Sequence, residues 1–280
     1  MVRTHDRSSA VGTAARSAAA AAASAADASP AVTARLGMMA TLTAASGVRC
    51  GPVGAARPEP TDHRSRLVTA SPDGAVLSAT AAPRRPGCVV LLLHGGSEET
   101  SHVRGHWFDP AVLRLVPIAR AVARHVSDAA VFRLRFAEHG WNGTGAEALR
   151  DAGWALGVLR PRYPGVPIVL LGHSLGGRVA ARLLGADAVA GAVLLAPWLP
   201  AGDPVEQTAG RPLVVLQGTR DTECPEPGTR AWLGAARDTG ARIDQLVLPG
   251  LEHTMLRRWR EWHRRAWQGV RQVRAQAAHR

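Results

Sequence analysis

The sequence predicts an α/β domain in which a mostly parallel sheet carries helices on both faces. Two observations support this fold class. From about residue 64 onward, short apolar runs alternate with longer amphipathic segments, and the runs are apolar throughout instead of alternating with polar residues. Strands that are buried on both faces have this continuous pattern, and helices must then cover both sides of the sheet. The 280 residues, 46% of them hydrophobic, suffice for one domain of generous size.

The predicted elements follow one another in a regular order. A hairpin opens the domain, with strands at 66–70 and 75–80 joined by the turn sequence Ser71-Pro-Asp-Gly74. Further apolar runs predict strands at 88–93, 129–135, 167–172, 190–195, 212–216 and 243–248. Helices are predicted at 110–125, at 144–160, after residue 174 to about 185, at 227–238 and from about 254.

The first 60 residues differ in composition from the rest of the chain. Residues 1–60 are rich in Ala, Ser, Gly and Thr and poor in large apolar side chains. Such a segment cannot bury enough surface to offset its ordering entropy, so we expect a disordered extension at 1–60 and the folded domain at 61–280. Neither Arg3–Ala23 nor Leu36–Ala45 makes a convincing signal sequence, and no apolar run is long enough for a transmembrane helix.

The cysteine count and the distribution of charge indicate the cellular compartment and the kinds of partner to expect. Cys50, Cys88 and Cys224 are odd in number and form no C-x-x-C pair, which favours a reducing, cytoplasmic setting without a zinc site.

The net charge of +12 comes entirely from arginine and is concentrated at residues 254–280, which hold eight arginines against Glu261. We therefore expect neither a nucleic-acid partner nor stable membrane association. The last helix is predicted to turn Leu256, Trp259, Trp262 or His263, Trp267, Val270 and Val273 toward the core.

The strongest motif for chemistry is Gly172-His173-Ser174-Leu175-Gly176, which lies between a predicted buried strand and a predicted helix. A G-x-S-x-G sequence in that setting forms a sharp turn that lifts the serine hydroxyl clear of the sheet. The flanking glycines stand where side chains would collide with neighbouring backbone. The alternative is an ordinary connection whose serine only caps the helix.

A serine hydroxyl needs a base before it can act as a nucleophile. His253 follows the strand that ends at Leu248, so it lies at the same sheet edge as Ser174; the alternative is a surface histidine at the start of the last helix. Asp221 follows the preceding strand and could orient the imidazole, with Asp203 and Glu206 as alternatives. His173 is expected to be a packing residue.

An oxyanion needs two backbone N–H donors. Leu175 at the start of a helix supplies one, and Gly95 or Gly96, after the strand at 88–93, is expected to supply the other. A glycine turn without a catalytic part is the alternative. The loop histidines show no metal-ligand spacing, and neither a metal nor a cofactor is expected.

Taken in order, the hairpin, His94-Gly95-Gly96, the elbow at Ser174, Asp221 and Glu252-His253 resemble the α/β-hydrolase fold over about residues 64–275. Arg133-Leu-Arg-Phe136, Gly140-Trp-Asn142 and Leu171–Arg178 are similar to segments of small bacterial members of that superfamily. The resemblance implies a Ser174–Asp221–His253 triad that cleaves an ester or thioester through an acyl-enzyme. His-Gly-Gly-Ser replaces the His-Gly-Gly-Gly of some esterases, so that particular subgroup is less secure.

The spacing between Ser174 and Asp221 leaves no room for a large cap domain. The rim of the substrate pocket is therefore expected from loops, with Trp107, Trp141 and His94 as its side chains, and the substrate is expected to be a small ester-type molecule. Amide or C–C bond hydrolysis and acyl transfer are alternatives on the same triad, as is a non-catalytic binding protein of this fold. The sequence leaves the oligomeric state open.

Overall fold

The computed structural model describes residues 68–97 and 100–278, so the segment expected to be a disordered extension, 1–60, lies outside the described residues. The described part contains one sheet in the order β1-β2-β4-β3-β5-β6-β7-β8. Its strands are β1 (Val68–Ala70), β2 (Val76–Ala81), β3 (Cys88–Leu93), β4 (Ala129–Arg135), β5 (Ile168–His173), β6 (Val189–Leu195), β7 (Pro212–Gly218) and β8 (Arg242–Leu248). The pairs β1–β2 and β2–β4 are antiparallel, and every later pair is parallel.

Helices cover both faces of the sheet. They are α1 (Pro110–His125), α2 (Asn142–Arg162), α3 (Leu175–Arg182), α4 (Glu226–Asp238) and α5 (Trp259–Ala277), with a 3₁₀ turn at Glu206–Thr208. Strand β3 shows the division, because successive residues of a strand point to opposite faces. Val89 and Leu91 pack with α2, α3 and α4, whereas Val90 and Leu92 pack with α1 and α5. The predicted α/β class with helices on both faces is confirmed.

Two helices begin two or more residues away from the predicted start, each for a backbone reason. Helix α5 begins at Trp259 instead of about 254, because Met255 and Arg258 have φ values of 58° and 51°, which a right-handed helix does not allow. The expected core stripe is accordingly wrong at its first two positions, since Leu256 is 65% and Trp259 50% exposed. Helix α2 begins at Asn142 and kinks at Gly143 and Gly145, where φ is also positive.

The parallel strands all end at one edge of the sheet, and the loops after β3, β5, β7 and β8 meet there. The connection between β6 and β7 is a short loop with a single 3₁₀ turn, in keeping with the predicted absence of a large cap domain. None of the helices in 68–97 and 100–278 is long and apolar enough to cross a membrane.

Candidate active site

The turn between β5 and α3 holds Ser174 in a strained backbone conformation, with φ 52° and ψ −119°. Non-glycine residues seldom adopt this region, and they persist there only where the surrounding structure fixes them. Close backbone contacts fix this turn. A Cβ atom on Gly172 would overlap the carbonyl of Gly176, and a Cβ atom on Gly176 would overlap the carbonyl of Leu93. Both positions therefore require glycine, and the turn presents Ser174 at the sheet edge.

The loop after β8 brings His253 against Asp221 from the loop after β7. His253 Nδ1 lies 3.0 Å from Asp221 Oδ2 and 3.1 Å from Oδ1, and both residues are buried. Two backbone N–H groups also donate to the Asp221 carboxylate. Its Oδ1 accepts from Cys224 N at 2.8 Å and from Glu223 N at 3.1 Å. The carboxylate is thus fixed by hydrogen bonds and faces one edge of the imidazole.

Gln217, at the end of β7, is a site residue that the sequence analysis missed. Its Nε2 donates to Cys224 O at 2.5 Å and to Asp221 Oδ2 at 3.3 Å, and its side chain is fully buried. These hydrogen bonds anchor the loop that carries Asp221. The signal was available in the sequence, because a lone amide in an otherwise apolar buried strand must find partners.

His173 joins the nucleophile turn to the histidine loop. Its Nε2–H donates to the backbone carbonyl of His253 at 3.0 Å, and the two rings lie 4.9 Å apart. Burial and the nearby His253 lower the pKa of His173 to about 3, so it is neutral at pH 7. The residue expected to be a packing residue is also a bridge between two parts of the site.

The expected nucleophile and the expected base are not hydrogen-bonded to each other. In the described residues, Ser174 Oγ makes no hydrogen bond to His253, and His253 Nε2 instead lies 3.4 Å from Glu223 Oε2. Catalytic hydrogen bonds are often long or absent before substrate binds. Glu223 is therefore a second carboxylate on the imidazole, at the nitrogen opposite Asp221, which the sequence analysis did not identify.

The two carboxylates considered as alternatives to Asp221 have other partners. Asp203 makes a bidentate ion pair with Arg178, at 2.5 Å to Nε and 2.6 Å to Nη2. The Arg178 guanidinium lies between two indole rings, 3.8 Å from the centre of Trp141 and 4.2 Å from that of Trp198. Glu206 accepts from its neighbour Val205 N. Neither carboxylate contacts the imidazole of His253.

The turn after β3 runs beside the nucleophile. A Cβ atom on Gly95 would lie 3.2 Å from Ser174 Cβ, and one on Gly96 would lie 3.2 Å from Leu175 Cδ1 and overlap the carbonyl of His139. Leu175 is the first residue of α3, so no carbonyl within the helix can accept its N–H. The expected oxyanion donors, Leu175 with Gly95 or Gly96, thus lie around Ser174.

The expected rim of the pocket needs correction. His94 is buried beneath the turn, where its Nε2 accepts from Phe136 N at 3.0 Å, and burial lowers its pKa to about 4. Trp141 is buried against Arg178. Trp107 is exposed, but it packs on Arg135 and lines a groove beside β2 and β4, not the triad. Loop side chains turn toward whichever neighbour packs best, and sequence spacing does not determine that direction.

Comparisons with known proteins agree with this architecture. A model of the Alpha/beta hydrolase family matches residues 90–280. Similar solved structures include an alpha-beta serine hydrolase homologue from Coxiella burnetii, with TM-score 0.58 and 18% identity over 74% of this chain and 97% of that one. A serine hydrolase without a lid from Xanthomonas campestris has TM-score 0.53 and 20% identity, covering 74% and 94%. A thermophilic esterase from Thermogutta terrifontis has TM-score 0.56 and 14% identity, covering 77% and 96%. At such identities the likeness concerns the fold, and no curated protein sequence matches the chain significantly.

Proposed function

This chain belongs to the alpha/beta hydrolase family, and we propose that it is a serine hydrolase that cleaves a small ester or thioester through an acyl-enzyme. Ser174 is the proposed nucleophile, His253 the base and Asp221 the orienting acid. No metal or cofactor takes part in the proposed reaction.

The observation that carries the proposal is the buried pair between His253 Nδ1 and Asp221, at the sheet edge that also holds the Ser174 turn. A carboxylate on Nδ1 keeps the proton on that nitrogen, so the lone pair of Nε2 is free to accept the proton of Ser174 Oγ. As the serine oxygen attacks the acyl carbon, the imidazolium forms, and Asp221 stabilises its charge. Nε2–H then protonates the leaving oxygen or sulfur, and water repeats the cycle on the acyl-enzyme.

The backbone donors account for the charge on the acyl oxygen. In the tetrahedral intermediate this oxygen is an anion, and the N–H groups of Leu175 and of Gly95 or Gly96 are its proposed donors. The dipole of α3 adds favourable potential at the same point. Removing one such donor in related chemistry costs about a hundredfold to a thousandfold in kcat.

Short acyl groups are the proposed substrates. The loop from β6 to β7 is short, and Trp107, one of the bulky side chains expected at the rim, lies elsewhere. Each acyl methylene contributes about 0.8 kcal/mol only where a pocket encloses it, so an open site gains little from long chains. Rates for p-nitrophenyl esters from acetate to palmitate test this preference directly, and a maximum at long chains would oppose it.

Covalent labelling tests the nucleophile. A fluorophosphonate should label the wild-type protein, and Ser174→Ala should lose both labelling and ester hydrolysis while retaining its thermal unfolding transition. Ser101→Ala, in a loop outside the triad, is the matched control and should behave as wild type. Unchanged labelling of Ser174→Ala would assign the nucleophile to another residue, and an unlabelled wild-type protein would favour a binding function.

A further inference from the structure

We propose that Glu223 selects substrates whose leaving group carries a positive charge, by pairing with that cation beside the proton-carrying nitrogen of His253. This inference rests on the proposed hydrolase function and specifies its substrate class: esters of amino or quaternary-ammonium alcohols.

The position of the Glu223 carboxylate is the first argument. Its Oε2 lies 3.4 Å from His253 Nε2, while Asp221 occupies the opposite nitrogen. Nε2 is the atom that must deliver a proton to the leaving group. A group that contacts Nε2 from the solvent side therefore lies where the departing alcohol passes.

The loop backbone holds Glu223 in this position. The N–H of Glu223 donates to Asp221 Oδ1 at 3.1 Å, the next N–H donates to the same oxygen, and Cys224 O accepts from Gln217. The backbone of Glu223 is thus fixed by the carboxylate that orients His253. The side chain itself is 63% exposed, so its carboxylate can swing while its root stays in place.

Charge determines what this carboxylate favours. In the free protein the Glu223 carboxylate lies beside Nε2, the nitrogen that must accept the proton of Ser174 Oγ. A cationic leaving group would form an ion pair with Glu223 and draw it away from Nε2, which frees that nitrogen for the serine proton. A neutral leaving group offers no such partner, and an anionic one is repelled.

Arg114 on α1 is the opposing charge near the site. Its guanidinium interacts electrostatically with Glu223 and Asp109, and it is partly buried. No ion pair within 4 Å joins it to Glu223 in the described residues, and its Nε is buried without a hydrogen-bond partner. Glu223 touches the reacting nitrogen and Arg114 does not, so a charge on the leaving group meets the carboxylate first.

Three acetate esters of similar size test the selection. Choline acetate carries a cation, 3,3-dimethylbutyl acetate replaces it with a neutral group, and 3-acetoxypropanesulfonate carries an anion. We expect kcat/KM in the order cation, neutral, anion, with roughly a tenfold ratio of cation to neutral, between the effects of exposed and buried ion pairs. In Glu223→Gln the ratio of cationic to neutral ester should fall to about 1. Glu226→Gln is the matched control, because Glu226 pairs with Arg230 on α4.

The outcomes separate the two proposals. Ser174-dependent hydrolysis with an unchanged cation preference in Glu223→Gln overturns the role of Glu223. A preference for the anionic ester that disappears in Arg114→Gln assigns selection to Arg114 and also overturns it. Absence of any hydrolysis opposes the hydrolase function, and binding of the alcohols then decides the role of Glu223. Choline should bind more tightly than 3,3-dimethylbutanol by NMR titration only while Glu223 is present, and equal binding overturns the inference.

Discussion

Two aspartates at the same sheet edge have different partners. Asp203 follows β6 and Asp221 follows β7; the Asp221 carboxylate is fully buried and that of Asp203 is largely so. Asp203 pairs with Arg178, which is enclosed by Trp141 and Trp198. Asp221 pairs with an imidazole.

The partner determines what each carboxylate can do. A guanidinium stays charged at any pH that a folded protein tolerates, so the pair at Asp203 cannot move a proton and serves to hold α3 and its flanking loops together. An imidazole gains and loses a proton near neutral pH, so a carboxylate on its Nδ1 controls the other nitrogen. The two carboxylates lie at the same sheet edge, and the chemistry of the partner separates the proposed catalytic role of Asp221 from a supporting role for Asp203.

The largest expected effect is that of Asp221→Asn on turnover. The change should reduce kcat/KM by roughly ten thousandfold, as the same change does in a serine protease triad, because the amide no longer favours the working tautomer. The unfolding midpoint in urea should change little, since an amide oxygen still accepts from Cys224 N. Near-wild-type turnover in Asp221→Asn, with loss in Asp203→Asn, would reverse the assignment of the two residues.

Asp203→Asn should affect stability instead. Removing one partner of a buried ion pair leaves Arg178 uncompensated between the indoles, at a cost of about 3–5 kcal/mol. Turnover per folded molecule, corrected by active-site titration, should stay within about tenfold of wild type. Asp187→Asn is the control, because its pair with Arg160 is exposed and should contribute less than about 1 kcal/mol. Equal destabilisation by the two variants would contradict a special role for the enclosed pair.

The third expected effect is a loss of folding stability at low pH. The buried histidines of the described part are His94, His173 and His253; of these His253 pairs with Asp221, and none pairs with Asp203. The pKa of His94 is lowered by burial to about 4, whereas the unfolded chain binds that proton near pH 6.5. The unfolded state therefore holds more protons between these values, and stability falls as pH drops from about 6.5 toward 4.

His94 alone should account for about 3 kcal/mol of that loss by pH 4. Urea unfolding at pH 7, 6, 5 and 4 measures it, and His94→Gln should show a flatter dependence on pH. His102→Gln, at an exposed position, should follow wild type. A wild-type midpoint that does not change between pH 6.5 and 4 would contradict neutral burial of His94.

The sequence predicts the strands, the helices and the nucleophile turn better than it predicts the directions of individual side chains. Uniformly apolar strands predict a sheet buried on both faces, and Gly172 and Gly176 mark the sharp turn because backbone passes too close for a side chain. The order of strands also places Ser174, Asp221 and His253 at one edge. It does not separate Asp221 from Asp203, because both follow strands.

Side-chain direction in loops is what the sequence left undetermined. Glu223 reaches His253 because hydrogen bonds to Asp221 shape its loop, and no local pattern predicts those bonds. Trp107 turns to Arg135, a contact set by the fold of a distant strand. The start of α5 also depends on tertiary packing, since Met255 is buried with a left-handed backbone that its sequence does not favour.

The backbone of Ser174 has a consequence for protein engineering. Its φ of 52° and ψ of −119° suit glycine, and holding another residue there costs about 1–3 kcal/mol. A directed-evolution experiment that selects only for survival of heating would thus favour the replacement of Ser174 by glycine, which removes the hydroxyl. Any such screen on this scaffold should couple the heat step to a readout of turnover, so that its most thermostable clones are not inert ones.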